Sequence, residues 1–193
     1  MNQEAKKVVV ITDGDLTARD VVERVAANIG GRCISLSYGN PTDTPVEKII
    51  RAVKSSHGNP VLVMVDDGGK SGCGPGERIL AAMANDPAIK IIGAVAVASK
   101  TSRVEGAVVE ASVDNHGEVV GSAVDKEGNP QATQRVTGDT VDILNKIDIP
   151  VVIGVGDLGK TDKADRVAQG AKVTTEAVRE ILRRAGWQEE HGD

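Results

Sequence analysis

Apolar positions along this chain alternate between short continuous runs and longer stretches with helical spacing. Val8 to Ile11, Val61 to Val65, Ile91 to Ala98 and Val151 to Val155 are the runs, and continuous apolar runs mark strands buried on both faces. Arg32 to Ser37 is a fifth candidate strand. Between the runs, Val21, Val22, Val25, Ala26 and Ile29 share one helical face, as do Ile49, Ile50 and Val53. Thr17 and Asp20 predict a capping box for the first helix, with Gly30-Gly31 ending it. Thr44-Pro45-Val46-Glu47 predicts the second, with Thr as cap and Pro at the first helical position. A short helix is expected over Gly76 to Asn85, another from the cap Asp139-Thr140 through Leu144 and Ile147, and a last one capped by Thr174 and stopped at Gly186.

The pattern breaks once. Ala107 to Val113 and Glu118 to Val124 predict a hairpin turning at Asp114-Asn115-His116-Gly117, with a further strand over Gln131 to Val136. The expected fold is a single α/β domain over residues 1–193. It is three-layered, Rossmann-like or Toprim-like, with a largely parallel sheet and a small antiparallel excursion over about 107–136. Right-handed crossovers place the second strand on one side of the first and the third strand on the other.

Composition narrows the function classes. The chain has 193 residues, 40% of them hydrophobic, with no Phe, one Tyr and one Trp, so its core is aliphatic. The net charge is −5 and the basic residues do not cluster in sequence, which argues against a nucleic-acid face. No apolar run approaches the ~18 residues that suggest a membrane span. Met1 to Lys7 is polar, without the apolar stretch of a signal peptide, so a cytoplasm-like compartment is expected. Cys33 and Cys73 lack Cys-x-x-Cys spacing, and His57, His116 and His191 lack metal-ligand spacing.

The candidate chemistry is acidic. Three of the predicted strands run into aspartates: Asp13-Gly14-Asp15, Asp66-Asp67-Gly68-Gly69 and Asp157. Ligands of open α/β sheets bind outside the carboxyl ends of the strands. Asp13, Asp15, Asp66 and Asp67 are therefore candidates to hold a divalent ion, Mg²⁺ or Ca²⁺, on one rim.

Asp13-Gly14-Asp15-Leu16-Thr17 resembles the Asp-x-Asp-x-Thr pattern of haloacid-dehalogenase-type phosphatases. That resemblance implies a nucleophilic first Asp, an acid–base second Asp, Ser99 as phosphate ligand, and Asp157 with Asp162 as the late acidic motif. A Toprim arrangement shares the acidic strand ends, but it wants a Glu where this chain has Asp13. Gly154 to Thr161 matches the Walker A pattern after a strand. Asp157 would place a negative charge inside that cradle, so a working P-loop is not expected there. The glycine-rich segment Asp67 to Glu77 suits an anion cradle at a helix N-terminus, with Gly74 and Gly76 supplying N–H groups. Lys100 and Lys160 are candidate cations beside such a ligand.

Eight segments in order carry a resemblance over nearly the whole chain. They are Ile11 to Asp15, Gly30 to Ser35, Gly39-Asn40-Pro41, Asp66-Asp67-Gly68, Gly74 to Glu77, Ala96 to Thr101, Gly138 to Val141 and Gly156 to Lys160. Together they resemble the soluble stage V sporulation protein AE family, AEa type, of endospore-forming bacteria. The resemblance implies a role in spore formation or germination, in the forespore or spore, soluble or peripheral to the spore inner membrane. It implies inner-membrane germination or dipicolinate-transport proteins as partners. It implies no enzymatic activity and assigns no catalytic residue. Two readings follow: a non-catalytic accessory protein that works by binding, and a Mg²⁺-dependent phosphotransfer enzyme.

Overall fold

The computed structural model describes residues 4–69, 74–101, 104–160 and 164–187. Among these, the main sheet has seven strands: β1 (Lys6–Ile11), β2 (Arg32–Cys33), β3 (Val61–Met64), β4 (Ile89–Val97), β6 (Ala111–Val113), β7 (Val119–Val120) and β9 (Val152–Val155). Their order is β2-β3-β1-β4-β9-β6-β7, parallel throughout except that β7 runs antiparallel to β6. A separate antiparallel pair joins β5 (Ala107–Val108) to β8 (Arg135–Val136). Four α-helices among the described residues accompany the sheet: α1 (Leu16–Asn28), α2 (Val46–Ser55), α3 (Pro75–Asn85) and α4 (Lys172–Arg184).

The strands alternate between two cores because successive side chains leave a strand on opposite faces, except at an irregularity in β4 at Ile92-Gly93, which puts Ile92 and Ala94 in different cores. Val9, Ile11, Leu62, Met64, Val95 and Ile153 pack with Val21, Val22 and Val25 of α1 and Val178 and Ile181 of α4. Val8, Val10, Val61, Val63, Ala94 and Ala96 pack on the other face with Ile49 and Val53 of α2 and Ile79, Leu80 and Met83 of α3. The sheet is thus buried on both faces, as the unbroken apolar runs require.

Several expectations are corrected. β2 lies beyond β3, not beside β1, so α1 crosses over β3 before the chain enters the edge strand. It is also only two residues long: Ser37 turns inward, its Oγ accepting the Met64 N–H at 2.9 Å, and the chain coils into a 3₁₀ turn over Ser35–Ser37. The hairpin of the expected excursion is present as β6 and β7, and β6 also pairs in parallel with β9, which joins it to the main sheet.

The caps differ too. Asp15, not Thr17, caps α1, its Oδ1 accepting the Ala18 N–H at 2.8 Å. Thr44 turns away from α2 and donates to the Leu36 carbonyl at 2.7 Å, leaving Pro45 at the cap position. Residues Val141–Lys146 form a 3₁₀ helix in place of the expected α-helix. Asp142 is drawn off to the Gly106 N–H at 2.8 Å, and the Thr140 hydroxyl serves other partners. Thr174 lies inside the first turn of α4 and does not cap it.

Candidate functional site

Chain direction opens the crevice. The chain leaves β1 into α1, on one face of the sheet, and leaves β3 toward α3, on the other. The loops after these neighbouring strands therefore diverge, with residues 12–15 on one side and 66–69 on the other. Thr12 fixes the exit of β1: its Oγ1 accepts the Val97 N–H at 3.0 Å, extending the contact with β4 by one residue. Thr42 does the same for β3, giving its N–H to the Asp66 carbonyl at 3.0 Å and accepting the Asp66 N–H on Oγ1 at 3.1 Å. Between them Gly14 packs so close that a Cβ there would run into the Gly39 carbonyl and the Asp66 side chain. Gly39 in turn gives its N–H to the Gly14 carbonyl at 2.6 Å.

Asp66 and Asp67 point apart, as successive residues of an extended chain do. Asp66 faces the crevice, its Oδ1 accepting the Gly68 N–H at 2.7 Å and the Thr140 hydroxyl at 3.4 Å. Asp67 turns to the N-terminus of α3, its Oδ1 accepting the N–H groups of Gly76 at 2.8 Å and Glu77 at 3.4 Å. Gly74 and Gly76 thus surround the Asp67 carboxylate, and a Cβ on Gly74 would overlap it. The N–H groups proposed for an outside anion are held by a carboxylate of the chain itself. Burial raises the pKa of both aspartates, opposed by those backbone N–H groups.

The third arm comes from the loop after β9. Lys160 Nζ lies 3.1 Å from Asp157 Oδ1 and 3.2 Å from Asp15 Oδ2. Partial burial works against its charge, but the bonds to Asp157 and Asp15 outweigh it and raise its pKa. Lys160 is folded onto the acidic rim and does not project into a phosphate cradle. Gly154 belongs to β9, and the next α-helix among the described residues starts only at Lys172. The Walker-like run is therefore a strand followed by a turn; Thr161 and Asp162 lie outside the described residues.

Asp13 is the electrostatic centre. It is partly buried, and its Oδ1 accepts the Asp15 N–H at 3.3 Å. Burial pushes its carboxyl up to about 7, helped by the nearby charges of Asp15, Asp66 and Asp157. The structure thus brings Asp13, Asp15, Asp66, Asp157 and Lys160 together and sends Asp67, Gly74 and Gly76 to α3. Ser99 stands at the end of β4, its Oγ accepting the Asp139 N–H at 2.9 Å, and Lys100 is exposed. Among the described residues no three His, Cys, Asp or Glu side chains are placed to hold a metal ion. Cys73 and the centre of its loop lie outside the described residues, while Cys33 is a free thiol that burial pushes up to about 11.

Two residues that hold the site together escaped the sequence reading. Thr140 is buried and bridges the two aspartates, accepting the Asp67 N–H at 3.1 Å while donating to Asp66. Asp165, 1% exposed, ties the 157–160 loop to α4 through the Gly159 N–H at 3.1 Å and the Thr174 N–H at 2.8 Å. Thr140 sits in the Gly138 to Val141 segment, whose local pattern is that of a helix cap and gives no sign of the contact with Asp66 and Asp67. Asp165 had no sequence signal beyond its proximity to the Gly156 to Lys160 turn.

Beside the rim, Leu16 is 59% exposed, Tyr38 40% and Leu36 39%. Leu16 and Tyr38 line a hollow of about 380 Å³ with Gly14, Asp15 and Gly39. No helix among the described residues is long and apolar enough to cross a membrane.

Compared with known proteins, residues 7–185 match the family model described as stage V sporulation protein AE1. No curated protein and no solved structure matches the chain.

Proposed function

The chain belongs to the stage V sporulation protein AE1 family and is thus a sporulation-related protein, and from that premise we propose that it works by binding a partner at the acidic crevice, not by turnover. One observation carries the reading. Two of the carboxylates that a haloacid-dehalogenase-type enzyme would use are already committed: Asp15 caps α1, and Asp15 and Asp157 both pair with Lys160. Asp13 is left as the crevice's uncompensated acid, and its neighbours Gly14 and Asp15 line the hollow that exposes Leu16 and Tyr38.

An acidic spot beside an apolar hollow suits a protein segment that offers a Lys or Arg next to an apolar side chain. The partner proposed from the family resemblance is an inner-membrane germination or dipicolinate-transport protein of the spore. The protein then sits in the forespore or spore, held to the membrane by its partner. A divalent ion, Mg²⁺ or Ca²⁺, between Asp13 and Asp66 is the runner-up occupant. It is favoured by the carboxylates of Asp15, Asp66 and Asp157 around Asp13, and its binding would displace the proton that burial helps Asp13 to hold.

The test is genetic and biochemical. Leu16→Glu and Asp13→Lys alleles in a sporulating host are expected to leave vegetative growth normal and to alter spore germination. Normal germination of both would sink the docking reading. Thermal stabilisation by Mg²⁺ or Ca²⁺ that Asp13→Asn removes would select the ion as occupant. Hydrolysis of p-nitrophenyl phosphate that Asp13→Asn abolishes would select the enzyme instead.

A further inference from the structure

The amino ends of the strands carry a second concave surface, remote from the aspartates. A cleft of about 1000 Å³ opens there, lined by the starts of β1 and β4, by the C-terminal end of α1 and by the residues that follow α4. Its charge is opposite to that of the chain, whose net charge is −5. Lys6, Lys7 and Lys90 line it, and Glu4 is the one acid among the lining residues.

The lysines are not scattered along a solvated face. Lys7 and Lys90 are register partners on adjacent parallel strands, so the two side chains leave the sheet next to each other. Like charges in that position repel, and nothing in strand formation calls for them. Glu4 pairs with Lys7 at 2.9 Å, and Lys90 also stands near enough to help lower its pKa. Lys7 Nζ also stands 4.8 Å from the centre of the Trp187 ring, a cation–π contact that holds the ammonium at the cleft wall. Lys6, the strand neighbour of Lys7, leaves the sheet on the opposite face and gives its ammonium to the Ser56 carbonyl at 2.7 Å, so it borders the cleft without joining the pair. Asn59 uses its Oδ1 to accept the Lys7 backbone N–H at 3.2 Å, so its NH₂ remains a donor in the cleft.

We propose that this cleft is a second binding site, for a small anion carrying two or more negative charges, held by Lys7 and Lys90. Over the lining residues three lysines stand against one carboxylate, an excess of positive charge that suits a phosphate-type or polycarboxylate anion. The charge is concentrated in a concavity, where low-dielectric walls focus it. The site is independent of the reading given to the acidic crevice, since no residue is shared between them.

Trp187 is the chain's one tryptophan, so the cleft carries its own reporter. The experiment titrates the full chain with pyrophosphate and, separately, with citrate, and follows Trp187 fluorescence. A saturable change is expected, weakening as salt is added. Lys90→Ala, at an exposed position that leaves the core untouched, should weaken it at least about tenfold. Lys48→Ala, on α2 and outside the cleft, should leave it unchanged. Saturation with one probe only identifies the anion as phosphate-type or carboxylate-type. A response that never saturates with either probe, or that Lys90→Ala leaves intact, overturns the proposal.

Discussion

The Asp67 carboxylate accepts the Gly76 N–H at 2.8 Å, across the loop that joins β3 to α3. A side chain at the end of a strand thus occupies the anion position at the next helix's N-terminus, where a negative charge is favourable. Gly74 is glycine because any Cβ there would overlap that carboxylate.

Asp67→Ala should therefore cost about 1–3 kcal/mol, because it strands the Gly76 and Glu77 N–H groups. Gly74→Ala should cost at least as much, by forcing the carboxylate aside. The two changes should not add. Once the Asp67 carboxylate is gone, the methyl introduced by Gly74→Ala no longer meets it, and the double variant should be clearly more stable than the sum predicts. Urea unfolding of the four proteins measures this, and strict additivity would refute the geometry.

Lys160 bridges Asp15 and Asp157, residues far apart in sequence. About half of its side chain is exposed, so each ion pair is worth only a few tenths to about 1 kcal/mol. Lys160→Met should cost little stability. It should raise the pKa of Asp13 further, since the nearest positive charge leaves a cluster of carboxylates. Since Lys160 is already engaged, neither ATP nor GTP should shift the melting temperature. Micromolar nucleotide binding that Lys160→Met abolishes would reverse the assignment of the Walker-like run.

The strands β1, β3, β4 and β9 were legible because burial on both faces writes itself as an unbroken apolar run. Val8 to Ile11 and Val61 to Val65 fall within a residue or two of the observed strands. The position of β2 was not legible. A right-handed crossover through α1 satisfies the chain whether it lands beside β1 or skips over β3, and no local pattern separates the two.

The rim followed from the strand ends, and Asp13, Asp15, Asp66 and Asp157 do gather there. What each carboxylate does there was hidden. Asp66 and Asp67 are neighbours in sequence, yet the extended backbone sends one to the crevice and the other to α3. The caps failed for a related reason: Thr44 and Thr140 have cap-like sequence contexts, but tertiary partners claim their hydroxyls.

Asp165 carries more than its surroundings in the sequence suggest. It is 1% exposed and accepts from Thr174 Oγ1 at 2.7 Å as well as from the Thr174 and Gly159 N–H groups. Asp165→Ala leaves these buried donors without an acceptor and should cost about 2–4 kcal/mol. Asp165→Asn keeps one acceptor oxygen and should lose less. Amide hydrogen exchange should show the first turn of α4 and the 157–160 loop opening together in the Ala variant. Fast exchange confined to α4 would mean that Asp165 does not anchor the rim.

Asp13 should make the protein more stable in mild acid than in mild base. Burial, with Asp15, Asp66 and Asp157 nearby, lifts its carboxyl from 3.8 to about 7. The folded state therefore binds this proton more tightly than the unfolded chain does. Its contribution is complete below about pH 4 and is lost as the pH rises through about 7. At 1.36 kcal/mol per unit, and allowing for partial exposure, the loss is about 2–4 kcal/mol. Asp66, Asp67 and Asp165 are raised as well and act with the same sign. Glu180 is lowered by its bond to Arg183, so it works the other way, and only in stronger acid. The urea midpoint should fall between pH 5.5 and pH 8. Asp13→Asn, which removes the charge and keeps the shape, should raise stability at pH 8 and flatten most of that slope. A wild-type protein equally stable at both values, or a slope that Asp13→Asn leaves unchanged, would show that Asp13 is ionised in the folded state. The crevice would then hold a full negative charge at neutral pH, and its partner would bind without displacing a proton.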